Sequence, residues 1–189
     1  MKKATLFAML VLVAVGFVVL NANANAQTIS LGLHGAYTMG GDIERSNNGL
    51  GGQVVIPFGE LSMEVSGTKF QDGIDDLLID TMTIAVSMRY GQYVANNKMF
   101  VYGGGGFNHN SYTASVAWPG FSVDIEDAIG FHVAAGVSTL VHEKAEIFAE
   151  YRYSMVSSTA RVGSQCTGYE IVTGSANFGL VRIGVNFLF

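Results

Sequence analysis

The last eleven residues, 179–189 (GLVRIGVNFLF), constrain the fold more than any other stretch. Val181, Ile183, Val185, Phe187 and Phe189 share one parity, and Arg182, Gly184 and Asn186 share the other, with Leu188 beside them. Successive side chains of a strand point to opposite faces, so this segment has one wholly apolar face and one that is mostly small or polar. A membrane-spanning β-strand needs roughly 9–11 tilted residues with that alternation. Lipid offers no hydrogen bonds to the backbone, so such strands are stable only when closed into a barrel.

The other end of the chain points to export. Lys2 and Lys3 precede an apolar run from Ala4 to Leu20, and the following NANANA places Ala24 and Ala26 as an A-x-A site before Gln27. An apolar run of 17 residues is at the short edge for a spanning helix. Residues 1–26 therefore read as a cleavable signal peptide, and 27–189 as a single domain of 163 residues. Without Lys2 and Lys3 that domain has eight basic residues against fifteen acidic ones, a net charge of −7. No basic stripe exists, which argues against nucleic-acid binding. The lone Cys166 has no partner for an internal disulfide, although an exported chain would be free to form one. After the leader there is no long apolar run, which for a membrane protein favours strands over helices.

Taken in order, the domain divides into eight alternating segments, at about 28–39, 50–56, 61–70, 81–90, 99–112, 129–141, 145–155 and 175–189. The connections alternate long and short. GGDIERSNNG, the acidic QDGIDDLLID, the Trp118–Asp127 stretch and residues 156–174 are long; the turns at Pro57-Phe58-Gly59, 95–98 and His142-Glu143-Lys144 are short. Outer-membrane barrels have an even number of antiparallel strands, short periplasmic turns and longer outer loops. The expected fold is all-β: an eight-stranded antiparallel up-and-down transmembrane β-barrel. The tetraglycine Gly103–Gly106 leaves the facing of the fifth strand open.

Alternation alone does not say which face looks inward, because a soluble barrel alternates with its apolar side inside. The charges decide. Glu64, Arg89, Glu146, Glu150, Arg152 and Arg182 all lie on the polar parity of their strands, and only Lys69 shares a face with Leu61, Met63 and Val65. It falls at a strand end, where a charge facing lipid costs only about 0–1 kcal/mol. The polar faces are otherwise rich in Gly, Ala, Ser and Thr, which suit a narrow lumen. Tyr37, Tyr90, Tyr151 and Tyr153 lie at or near strand ends, as interfacial aromatics do.

The segment IGFHVAAGVSTLVHEKAEIFAEYRYS, with Gly136 in mid-strand, the turn at Glu143 and Lys144, and Glu150-Tyr151-Arg152-Tyr153, resembles the penultimate hairpin of the small outer-membrane β-barrel family of OmpA and OmpX type. The ending Val185, Phe187, Phe189 resembles the C-terminal insertion signal of bacterial outer-membrane barrels. The resemblance implies a place in the outer membrane of a Gram-negative envelope, among lipid and lipopolysaccharide. It also implies recognition by the barrel-assembly machinery and loops free to meet an extracellular ligand.

Candidate chemistry is sparse. YGGGG lacks the Gly-Lys-Ser/Thr of a phosphate loop. His34, His109, His132 and His142 do not have metal-ligand spacing, and no cofactor or metal is expected. His109 and Ser111 faintly resemble the H-x-S pair of outer-membrane lipid A deacylases, but no acid can be assigned to them, so no catalytic residue is named. Acidic residues collect in the long connections, among them Asp42, Glu44, Asp72, Asp75, Asp76, Asp80, Asp124, Glu126, Asp127 and Glu170, and read as a solvated surface. The lumen-facing set Glu64, Glu146 and Glu150 against Arg89, Arg152 and Arg182 reads as a neutral ion-pair network filling the interior. The expected protein is a plugged structural or surface-interaction barrel. The alternatives are a narrow porin-like channel and, less favoured, a lipid A-modifying enzyme.

Overall fold

The computed structural model describes residues 29–41, 47–74, 77–95, 98–117, 121–164 and 168–189. Residues 1–26, the expected signal peptide, and Cys166 lie outside them. All regular structure among these residues is strand: β1 (Ser30–Gly41), β2 (Asn48–Phe58), β3 (Leu61–Ile74), β4 (Leu77–Val94), β5 (Met99–Val116), β6 (Phe121–Ile125), β7 (Ala128–His142), β8 (Ala145–Ser164) and β9 (Gly168–Leu188).

Antiparallel neighbours follow the order β8-β7-β5-β4-β3-β2-β1-β9, and β9 pairs back onto β8, so eight strands close into a ring. Closure removes the free edges that lipid would leave unsatisfied. The ninth strand, β6, stands outside the ring. It pairs with β8 from Phe121↔Ser164 to Ile125↔Ala160, beyond the last β7–β8 pair at Gly130↔Val156. There it takes over from β7 as the neighbour of β8.

The eight-strand count agrees with the sequence, but the long connections are shorter than expected. QDGIDDLLID is largely strand, with residues 71–74 in β3 and 77–80 in β4. β8 and β9 continue their ladder out to Ser164↔Gly168, so most of 156–174 is paired. A span needs roughly 9–11 residues, whereas β4, β5, β8 and β9 have 18 to 21. Most of their extra length lies on the side of the long connections, although β4 also runs on through residues 91–94 toward the short 95–98 turn. A hairpin in water keeps its ladder without any need for a lipid-facing apolar row, so the alternation lapses while the strand goes on.

The two faces differ as the charges predicted. Leu50 is 77% exposed and Ile183 64%, whereas Glu64 and Arg182 are both at 0%. Lys69 points outward, with its ammonium 3.7 Å from Asp80. The facing of β5 is settled: Tyr102, Asn108 and Asn110 are buried, whereas Val101 and Phe107 are exposed. Gly104 and Gly106 therefore face the lumen, opposite Arg89 and Ser87 of β4. A Cβ on either would overlap a backbone carbonyl oxygen of β4, that of Met88 or of Val86. These glycines let β5 pack closely against β4 and leave lumen space for the Arg89 side chain.

Tyr37 and Tyr151 both pair across Val181, so they lie at one level of the wall. Because β8 runs on past the membrane, Tyr151 and Tyr153 fall within the strand and not at its end. Phe187 and Phe189 point outward, and the Phe189 amide donates to the Ile29 carbonyl at 3.0 Å. The C-terminal residue is thereby stitched to the chain's first strand.

Candidate functional site

Five of the six predicted interior charges meet at one level of the lumen. Glu64 of β3 lies at the centre. Its Oε1 accepts from Arg152 Nη2 and Arg182 Nη1, each at 2.9 Å, and its Oε2 pairs with Arg89 Nη2. Glu150 of β8 takes Arg89 Nη2 at 2.7 Å and the Tyr102 hydroxyl at 3.2 Å on Oε2, and Arg152 Nε at 3.1 Å and Nη2 at 2.8 Å on Oε1. Arg182 also donates to Ser66 Oγ at 3.2 Å and to Gln53 Oε1. The Arg89 guanidinium lies 4.5 Å above the Tyr102 ring.

The sixth residue, Glu146, stands apart. Four residues along a strand is about 13 Å, and that separates Glu146 from Glu150 on the same face. It accepts from Asn186 Nδ2 at 2.7 Å and Ser138 Oγ at 3.1 Å. A polar relay still joins it to the cluster, because Arg182 donates to Gln53, Gln53 Nε2 donates to Asn186 Oδ1 at 2.8 Å, and Asn186 donates to Glu146. The contacting cluster therefore holds two carboxylates against three guanidinium groups. It has one excess positive charge and is not the neutral set of six.

Small residues make this convergence possible. Gly104 lies opposite Arg89, Ala134 opposite Arg152, Gly136 opposite Glu150, and Ala36 opposite Arg182. Each long side chain extends inward over a partner that leaves the space free. Gln53, Ser66, Tyr102 and Asn186 were not singled out in the sequence as members. Parity alone would have placed Gln53, Ser66 and Asn186 inward, and Tyr102 was hidden by the ambiguous glycine run beside it.

The cluster divides the lumen unequally. Toward the short turns, a cavity of about 110 Å³ opens between Arg89, Tyr102, Glu146, Phe148 and Asn186. A smaller cavity of about 10 Å³ lies among Thr68, Asn108, Arg152 and Ser154. His34 and His132 are both buried; His34 Nε2 is hydrogen-bonded with Thr68 Oγ1 at 2.9 Å and His132 Nε2 with Ser87 Oγ at 2.8 Å.

The H-x-S pair lies on β5 toward the rim on the side of the long connections. His109 Nε2 is 3.2 Å from Ser111 Oγ and 3.7 Å from Asp127 Oδ2. An acid is thus present that the sequence did not assign. A nucleophile relay needs the serine and the acid on opposite ring nitrogens, whereas here both approach the same one. Other acidic residues line this rim: Glu126 is ion-paired with Arg161 at 2.7 Å, and Asp124 and Glu170 are exposed. Asp42, Glu44, Asp75 and Asp76 lie outside the described residues.

Known proteins share this architecture at low identity. OprG from Pseudomonas aeruginosa, an outer membrane protein, superposes with a TM-score of 0.68 at 16% identity, covering 89% of this chain and 98% of its own. Neisserial surface protein A (NspA) gives 0.61 at 18% identity, with 87% and 98% covered. Ail of Yersinia pestis, the attachment invasion locus protein, solved in complex with the heparin analogue sucrose octasulfate, gives 0.55 at 15% identity, with 86% and 97% covered. No curated protein matches the sequence. The family model described as "Outer membrane protein beta-barrel domain" matches residues 6–187. With eight closed strands, an apolar outer wall and a charged interior, the chain belongs to that family and is a bacterial outer-membrane protein.

Proposed function

We propose that this protein is a plugged barrel with a structural or surface-interaction role, not a general channel and not an enzyme. The observation that carries the reading is the cluster of Glu64, Glu150, Arg89, Arg152 and Arg182, whose side chains from four strands meet across the lumen. An eight-stranded interior is just wide enough for side chains to fill, whereas aqueous porin channels need 16–18 strands. Planar-bilayer recordings on the refolded protein test this, with no steady conductance as the expected result. Large, stable channels would replace the plugged barrel with the porin-like alternative.

The strand extensions and β6 form the surface offered to the outside, and the barrel wall meets lipid and lipopolysaccharide. The assembly machinery recognises the Val185, Phe187, Phe189 ending. The rim carries Asp80, Asp124, Glu126, Asp127 and Glu170, so electrostatic attraction favours a cationic partner. A polyanion such as the one bound to Ail is not expected to bind here. The lipid A-modifying alternative is disfavoured by the shared nitrogen of His109. Ser111→Ala should leave the lipid A mass spectrum of expressing cells unchanged, and loss of a deacylated species in that variant would revive the enzyme reading.

A further inference from the structure

We propose that the cavity at the short-turn mouth is a binding site for a small monocarboxylate with a flat apolar body, entering carboxylate first toward Arg89. This goes beyond the plugged-barrel reading, which needs only the cluster that forms the floor of the site.

Three observations converge. The first is charge. The floor belongs to a buried cluster with three guanidinium groups and two carboxylates, and an uncompensated buried charge is costly. The second is a guanidinium on the cavity lining. Arg89 is only 5% exposed, and both of its carboxylate contacts run through the single nitrogen Nη2. A guanidinium presents donors in a planar fork suited to a carboxylate. The third is the wall. Phe100 stacks on Tyr102 with centroids 5.8 Å apart, Tyr93 packs on Phe100 at 5.0 Å, and Phe148 also lines the cavity. Aromatic faces of this kind favour a flat, apolar ligand body.

The volume bounds the ligand. The cavity measures about 110 Å³ and opens at the mouth. It takes the acid group, while the apolar body lies against the Tyr93 and Phe100 rings at the open mouth. Glu146, on the facing wall, bounds the charge. Its oxygens already accept from Asn186 and Ser138, and its negative charge opposes a second anionic group on the ligand. A monoanion fits, and a dianion is repelled.

The test uses the mature protein folded in detergent micelles, titrated at constant ionic strength and followed by amide chemical shifts. Benzoate should produce saturable shifts at Arg89, Tyr102 and Phe148, and benzyl alcohol and phthalate should not. Arg89 variants risk misfolding, so two peripheral variants carry the result. Tyr93→Ala removes a ring 59% exposed at the rim and should weaken benzoate by roughly 2- to 10-fold. Glu146→Gln should tighten benzoate and admit phthalate. Absence of saturable benzoate shifts overturns the proposal. So does saturable binding of benzamidine that Glu146→Gln abolishes, because the site would then select cations. Conductance is read separately, so failure here leaves the plug intact and a conducting barrel leaves this site testable.

Discussion

Because the interior cluster is charge-imbalanced, its members should not be interchangeable in their effect on stability. Glu64 is fully buried and touches all three guanidinium groups. Glu64→Gln keeps the volume but leaves three guanidinium groups facing the single carboxylate of Glu150. Removing one partner of a buried pair costs about 3–5 kcal/mol, and a residue shared by three cations belongs at the upper end. Arg152→Met also keeps much of the volume, yet it leaves two carboxylates with two guanidinium groups. The loss is then the charged hydrogen bonds themselves, about 1.5–3 kcal/mol, partly offset by the removed excess charge. Urea titration of the protein in lipid vesicles, read by the mobility difference between unboiled and boiled samples, measures both. With a slope of about 1–3 kcal/mol per molar urea, the Glu64→Gln midpoint should fall by more than 1 M and the Arg152→Met midpoint by clearly less. The double variant should recover part of the Glu64→Gln loss, because one carboxylate against two guanidinium groups returns the cluster to a single excess positive charge. An Arg152→Met loss equal to or larger than that of Glu64→Gln would refute the imbalance. It would mean that Glu146, through the Gln53–Asn186 relay, neutralises the cluster after all.

Phe189→Asp should lower the yield of folded protein in the outer membrane, measured by heat-modifiable gel mobility, because a 76% exposed aromatic at the lipid boundary is replaced by a charge. Gly106→Val should abolish or strongly reduce folding in the same assay, since its Cβ would overlap the Val86 carbonyl oxygen, whereas Gly35→Ala, with open space around it, should fold normally. A thiol reagent that cannot cross the outer membrane should label Cys166 on intact cells, because the residue follows Ser164, where the β8 extension ends; labelling only after permeabilisation would invert the topology.

The parts of the fold that were legible in the sequence were those where lipid imposes a rule. Within the bilayer every outward position must be apolar and every backbone group paired, so the eight strands and the inward parity of Glu64, Arg89, Glu150, Arg152 and Arg182 could be read from the alternation together with the face on which the charges fall. Outside the bilayer that rule ends. The extensions of β3, β4, β8 and β9 and the short β6 carry polar, acidic segments that look like loop, and only their backbone ladders reveal them as strand. The fifth strand was opaque for a related reason, because four glycines carry no pattern, and the burial of Tyr102, Asn108 and Asn110 is what shows which side they face.

The candidate site divides in the same way. The sequence by itself determined which charges enter the lumen, since a strand has only two faces. It could not determine their heights, because the level at which each side chain meets its neighbours depends on the stagger between tilted strands. That stagger brings Glu64, Glu150 and three arginines to one level, leaves Glu146 beside an open cavity, and brings Asp127 to His109 across the rim. The membership of the cluster, its excess charge and the cavity beneath it are therefore properties of register, which only the closed barrel decides.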